Sequence, residues 1–167
     1  MTRLLLCLSF LLLGACASYG GRGLQPGVSS VDDIQRVMGE PAMRWRESSG
    51  GERLAFPRGP AGYHTFMVLT DANGRMLSLE NVLEPKHFAL LREGMTQDEV
   101  FRIIGPSHPG WTMYFEARDE LALEWRYCDD YAEASRFNAL FDRTSGKLRT
   151  TMNSPEPGKN RRAWCSR

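Results

Sequence analysis

The chain has 167 residues, with 21 Lys and Arg against 20 Asp and Glu, and four cysteines. That length suits one domain, or two small halves sharing a core. A charge balance so close to neutral leaves no electrostatic footprint for nucleic acid, which is not expected as a partner.

At the N-terminus, Arg3 precedes an apolar run from Leu4 to Leu13, and Leu13-Gly14-Ala15-Cys16 closes it. A run of about ten residues is too short to span a hydrocarbon core of roughly 30 Å. It matches the apolar region of a secretory signal instead. Two small residues directly before a cysteine resemble a bacterial lipobox, whereas an ordinary cleaved signal, the plainer alternative, needs no cysteine there. The resemblance implies a lipoprotein signal peptide over residues 1–15 and covalent lipid on Cys16. With Ala17 rather than Asp next in line, it also implies lipid anchoring to the periplasmic face of the outer membrane. Losing Arg3 with the signal leaves 20 cationic and 20 acidic side chains.

Residues 16–27 contain Gly20, Gly21, Gly23, Pro26 and Gly27, and the expectation is a lipidated flexible tether. A first structural unit is expected over 28–83. Ser30 with Asp33 has nearly the pattern of a helix capping box, Ile34, Val37 and Met38 share one helical face, and Gly39 and Pro41 end the helix. Strands are expected at 42–46, 52–56, 63–70 and 75–82, with Ser48-Ser49-Gly50-Gly51 and Asp71-Ala72-Asn73-Gly74 as turns.

The same order recurs over 84–153. After a short extra helix near Glu84 to Gly94, Thr96 and Glu99 form the second cap. Val100, Ile103 and Ile104 share a face, and Gly105-Pro106 stops the helix. Strands are expected at 111–116, 121–128, 135–141 and 147–152. Alternation of Leu121, Leu123, Trp125 and Tyr127 predicts a sheet with one buried face. The internal repeat makes each half a helix feeding a four-stranded antiparallel meander. Residues 154–167 read as a tail. With Cys7 in the signal and Cys16 lipidated, Cys128 and Cys165 remain as a disulfide pair in an oxidising compartment, or else as two buried thiols.

No chemical constellation emerges. His64, His87 and His108 lie more than 20 residues apart, without the close spacing of a zinc motif, so no metal is expected. No nucleophile elbow is present, and Gly20-Gly21-Arg22-Gly23 is followed by no phosphate-binding lysine. Catalytic residues are therefore not assigned, and the only cofactor-like group expected is the lipid on Cys16. The aromatic residues carry more weight: most should be core, and a few beside arginines have the composition of binding hot spots. Trp45, Arg58, Trp111, Arg118 and Trp125 are the candidate partner-binding residues.

Gly94-Met95-Thr96-Gln97-Asp98-Glu99-Val100, running into Ile103-Ile104-Gly105-Pro106 behind a lipobox, resembles the SmpA/OmlA (BamE-like) family of small outer-membrane lipoproteins. Residues 85–152 match that pattern best, and 27–83 more loosely. Two copies in tandem are similar to the arrangement in the β-lactamase inhibitory protein. The resemblance implies an α+β fold of two tandem helix-plus-four-stranded antiparallel sheet units. It also implies a non-catalytic binding or scaffold role in envelope or outer-membrane protein assembly or integrity. An envelope protein would be the partner, with the β-barrel assembly machinery as the named candidate. The alternative is a periplasmic protein inhibitor that inserts the Arg58-Gly59-Pro60-Ala61-Gly62 loop into an enzyme.

Overall fold

A computed structural model describes residues 19–158 together with Arg162 and Cys165. Cys16 and the signal segment lie outside the described residues. Helix α1 (Val31–Met38) starts where Ser30 Oγ accepts the Asp33 N–H at 3.2 Å and the Asp33 carboxylate accepts the Ser30 N–H at 3.0 Å. After the single turn α2 (Pro85–Phe88), helix α3 (Gln97–Ile104) begins identically, with Thr96 Oγ1 on the Glu99 N–H and Glu99 on the Thr96 N–H. These reciprocal bonds satisfy amide groups that a helix start otherwise leaves unpaired.

Strands β1 (Met43–Arg46), β2 (Glu52–Pro57), β3 (Thr65–Thr70) and β4 (Met76–Asn81) form one antiparallel sheet in chain order. A second antiparallel sheet contains β5 (Thr112–Phe115), β6 (Glu120–Cys128), β7 (Ala134–Asp142) and β8 (Leu148–Pro155), also in chain order. The protein is thus α+β, with two four-stranded antiparallel sheets and a few short helices. Among the described residues, no helix is long and apolar enough to cross a membrane.

Alternation along the strands assigns the faces. Leu54, Phe56, Val68 and Met76 point to one side of the first sheet and pack with Ile34 and Met38 of α1. Trp45, Ala55, Met67 and Val82 form a cluster on the opposite side, joined by Phe101 from α3. Val100 and Ile104 pack into Leu123, Trp125, Tyr127, Phe137 and Phe141 of the second sheet, and Phe101 touches both clusters, its ring 6.3 Å from that of Trp125. Helix α3 is therefore the filling between two sheets. Val100 and Ile104 are both 0% exposed, each worth about 1.5–3 kcal/mol of burial.

Two expectations change. The glycine-rich stretch read as a tether is packed from Tyr19 onward: Gly21 is buried, Leu24 joins the α1 cluster, and the Gly27 N–H donates to the Met76 carbonyl at 2.7 Å. Glycine permits this, because a side chain at Gly21 would meet Leu79 and Met38 at 3.1 Å. The tail is also shorter than expected, since β8 continues to Pro155 and Glu156 is buried behind it.

Candidate functional site

A cleft of about 370 Å³ opens between the two sheets. Its walls come from the β2–β3 connection, which supplies Gly59, Gly62 and His64, and from the α3–β5 connection, which supplies Pro106, Ser107, His108 and Trp111. Both connections are tightly folded. Arg58 and His64 close the first loop, the Arg58 N–H donating to the His64 carbonyl at 3.0 Å, and the Gly62 N–H donates to the Arg58 carbonyl at 2.8 Å. Gly59-Pro60 is a cis peptide. Gly105 turns the chain out of α3 at φ 72°, where a Cβ would lie 2.5 Å from Thr65 Cγ2. A 3-10 turn, Pro109–Trp111, follows, with His108 Nδ1 accepting the Gly110 N–H at 3.1 Å.

Trp111 lies between these loops. The Arg126 guanidinium is 4.4 Å from its ring centroid, a cation–π distance, and the His108 ring is tilted beside it at 5.0 Å. A side chain on Gly59 would touch the far edge of the indole at 3.3 Å. The Arg126 Nε is buried and has no hydrogen-bond partner among the described residues. Its nearest carboxylates are Glu156 at 3.5 Å and Glu124 at 4.0 Å. Glu156 is held by Arg136 through two bonds of 2.7 and 2.9 Å. That bidentate pair, with Glu124 beside it, raises the pKa of Arg136.

The mouth of the cleft adjoins the N-terminal segment. Tyr19 Oη and His64 Nδ1 are 2.8 Å apart, and His64 stacks on Phe66 at 5.7 Å. Burial pushes the His64 pKa down and the Tyr19 pKa up, so His64 favours its neutral form. Arg58 lies over the Tyr19 ring at 5.8 Å and donates from Nε to the Tyr19 carbonyl at 2.8 Å.

The candidate partner-binding residues separate accordingly. Trp125 is 2% exposed and donates its indole N–H to the Gly105 carbonyl at 3.2 Å; it forms part of the cleft floor rather than an outward contact. Trp45 is 6% exposed and donates to Asp98 Oδ1 at 2.7 Å, so it binds α3 to the first sheet and offers no free surface. Trp111 lines the cleft, whereas half-buried Arg58 lies outside its lining and bonds to the Tyr19 carbonyl. Arg118 is exposed, pairs with Glu120 at 3.0 Å and lies over Phe115 at 4.8 Å, away from the cleft lining. Cys128 and Cys165 form a disulfide with Cα atoms 5.6 Å apart, as the cysteine count predicts. The lipidation site Cys16 falls outside the described residues.

Sequence reasoning missed the Tyr19–His64–Arg58 cluster and the Arg126–Trp111 stack. Strand parity held part of the signal, because Glu124 and Arg126 flank Trp125 and must face the side opposite its core. The pairing of Gly59 with Trp111 joins two connections far apart in the chain and leaves no local trace. Chemically, the cleft presents apolar and aromatic walls with His64, Thr65, Ser107, His108 and Arg126 as its polar residues, and no Asp or Glu lines it among the described residues. Neither histidine has a carboxylate in the cleft to orient it. Such a surface can bind an apolar or aromatic group. No cluster of His, Cys, Asp and Glu able to hold a metal occurs among the described residues.

Compared with known proteins, the sequence matches no family model and no curated protein. Among solved structures, an extracellular protein containing an SCP domain from Bacillus anthracis str. Ames aligns with 82% of this chain at 12% identity and a TM-score of 0.26. The chain spans about half of that protein, 52% of its length, and a likeness at that TM-score carries no argument about fold or function.

Proposed function

We propose that the protein is a lipoprotein anchored to the outer membrane through Cys16, acting as a non-catalytic binding or scaffold module in envelope or outer-membrane protein assembly or integrity. Its domain would comprise two tandem BamE-like units, 28–83 and 84–153. The observation that carries this reading is a point-by-point correspondence between the halves. Ser30 and Thr96 cap their helices in the same way, and each also bridges to the strand hairpin that ends its sheet, Ser30 with Arg75 and Thr96 with Lys147. Gly39 and Gly105 leave the two helices at positive φ, and each helix leads into a four-stranded sheet in chain order. This supports the reading of two like units, and the role is taken from the resemblance to the SmpA/OmlA family.

The mechanism is local concentration: acyl chains confine the domain to one leaflet, so a membrane-bound partner meets it at high effective concentration. The cleft around Trp111 is the surface on which we place the contact. A photo-crosslinking residue at position 111, activated in intact cells, is expected to capture a subunit of the β-barrel assembly machinery. Absence of any protein adduct overturns the reading. Tight inhibition of a periplasmic hydrolase by the soluble domain would favour the inhibitor reading, in which the ordered Arg58 to Gly62 loop enters the enzyme. Cys16→Ala is expected to keep the fold and the disulfide, release the protein from membranes and abolish function; full function from the released protein would remove the case for anchoring.

A further inference from the structure

The packed N-terminal segment alters the geometry of anchoring. Tyr19 is fixed by its contacts with His64, Phe66 and Arg58, and a side chain on Gly62 would collide with the Tyr19 hydroxyl. From there the chain runs beside α1 and β4: Gly21 is buried against Leu79 and Met38, and Gly27 bonds to Met76. The residues that sequence composition reads as a flexible tether are thus part of the domain from Tyr19 onward. Between Tyr19 and the thiol expected to carry lipid stand only Ala17 and Ser18. At most about 3.3–3.6 Å per residue, three steps of chain reach roughly 11 Å.

We propose that the corner made by Tyr19, Arg58 and His64, with the adjoining mouth of the inter-sheet cleft, is held against the lipid surface in one orientation; this rests on lipidation at Cys16. A leash of about a nanometre is shorter than the domain. The corner it leaves from stays within about a nanometre of the bilayer, while the opposite end of the first sheet is not so confined. The chemistry of the corner suits headgroup depth: a Tyr ring that is 47% exposed, with a guanidinium above it, combines an apolar body with polar tips. Neutral overall charge is no obstacle, because the acyl chains supply the attraction and the leash supplies the direction. The partner surface of this corner is therefore a lipid headgroup layer.

Ala61 and Asn73 provide the test. Both are exposed, and they lie at opposite ends of strand β3, whose six residues span about 20 Å. Full-length Ala61→Cys and Asn73→Cys proteins, purified from membranes and labelled with a donor fluorophore, are incorporated into phosphatidylethanolamine/phosphatidylglycerol vesicles bearing acceptor on the headgroups. Mass spectrometry first reads the N-terminus. The expected result is at least about twofold greater energy transfer from position 61 than from 73. Inserting ten Gly/Ser residues after Ser18 should erase the difference. Equal transfer from both positions in acylated protein with the native leash overturns the fixed orientation and leaves the lipoprotein reading standing. An unmodified Cys16 thiol or an uncleaved leader overturns both.

Discussion

Trp45 donates its indole N–H to the Asp98 carboxylate at 2.7 Å, joining an edge strand of the first sheet to the first turn of α3. The bond is the leading cause of the lowered Asp98 pKa, followed by Arg102, whose Nε lies 3.0 Å away. Arg53 adds a second link on the same side, donating to the Arg102 carbonyl at 3.1 Å.

Removing that indole donor should weaken the whole domain. Trp45→Phe is expected to cost about 1–2 kcal/mol, the lower part of the range for a bond to a charged group, because Asp98 remains accessible to water. A double-mutant cycle with Asp98→Ala in urea unfolding should give a coupling of about 1 kcal/mol. Additive effects would mean that the indole contributes by packing alone.

Two glycines with similar positive φ should respond differently to alanine, Gly105 combining that φ with an extended ψ of 172°. Gly105 has φ 72° and a would-be Cβ 2.5 Å from buried Thr65, whereas Gly146 has φ 67° and nothing within 4 Å. Gly146→Ala carries only the conformational term, about 1 kcal/mol, while Gly105→Ala adds overpacking for a total of about 2–4 kcal/mol. Equal losses in thermal melts would show that the α3–β3 approach can relax freely.

Reduction of Cys128–Cys165 opens a loop of 37 residues. The chain-entropy estimate is a loss of about 3–4 kcal/mol. Cys128→Ala and Cys165→Ala should each lower the melting temperature to that of the reduced wild type, and reductant should leave the variants unchanged. A wild-type melting temperature insensitive to reductant would mean that the bridge constrains little in the unfolded chain.

Acid should loosen the turns before the core. Ser30 holds the Asp33 carboxyl at about 2 through backbone and side-chain bonds, and Ser145 with Arg149 holds Asp142 at about 2. Folded-state values below the ordinary carboxyl value of 3.8 mean that the stabilisation is full above pH ~4 and is lost as pH falls towards 2. Asp33→Asn and Asp142→Asn should therefore flatten the pH dependence of stability between pH 5 and 2. A wild-type slope retained in both variants would assign the acid sensitivity elsewhere.

Local rules carried most of the fold. The capping pairs Ser30/Asp33 and Thr96/Glu99 and the stops at Gly39 and Gly105 locate both long helices, and alternation in Leu121 to Tyr127 gives the buried face of β6. Composition misled where it stood for flexibility: Gly21 has φ 72° and packs with Met38 and Leu79 3.1 Å from where a Cβ would lie, so this glycine serves a packed turn rather than a loose segment. Burial escaped the sequence at Trp45. An aromatic residue next to arginine suits an interface and suits a core edge equally, and which one holds depends on α3, dozens of residues away in Trp45's case. The cleft was legible only as separate loops, since no periodicity relates Gly59 to Trp111.

The place of α3 between the sheets makes the chain indivisible. Phe101 closes the far side of the first sheet while Val100 and Ile104, its neighbours on the same two turns, close the second. A fragment ending near Leu83 would expose Trp45, Ala55, Met67 and Val82 on one side of the first sheet, and one starting there would keep α3 on the second sheet but uncover the side of Phe101 that meets the first. A lesion in either sheet should therefore be felt by the other, within one cooperative transition.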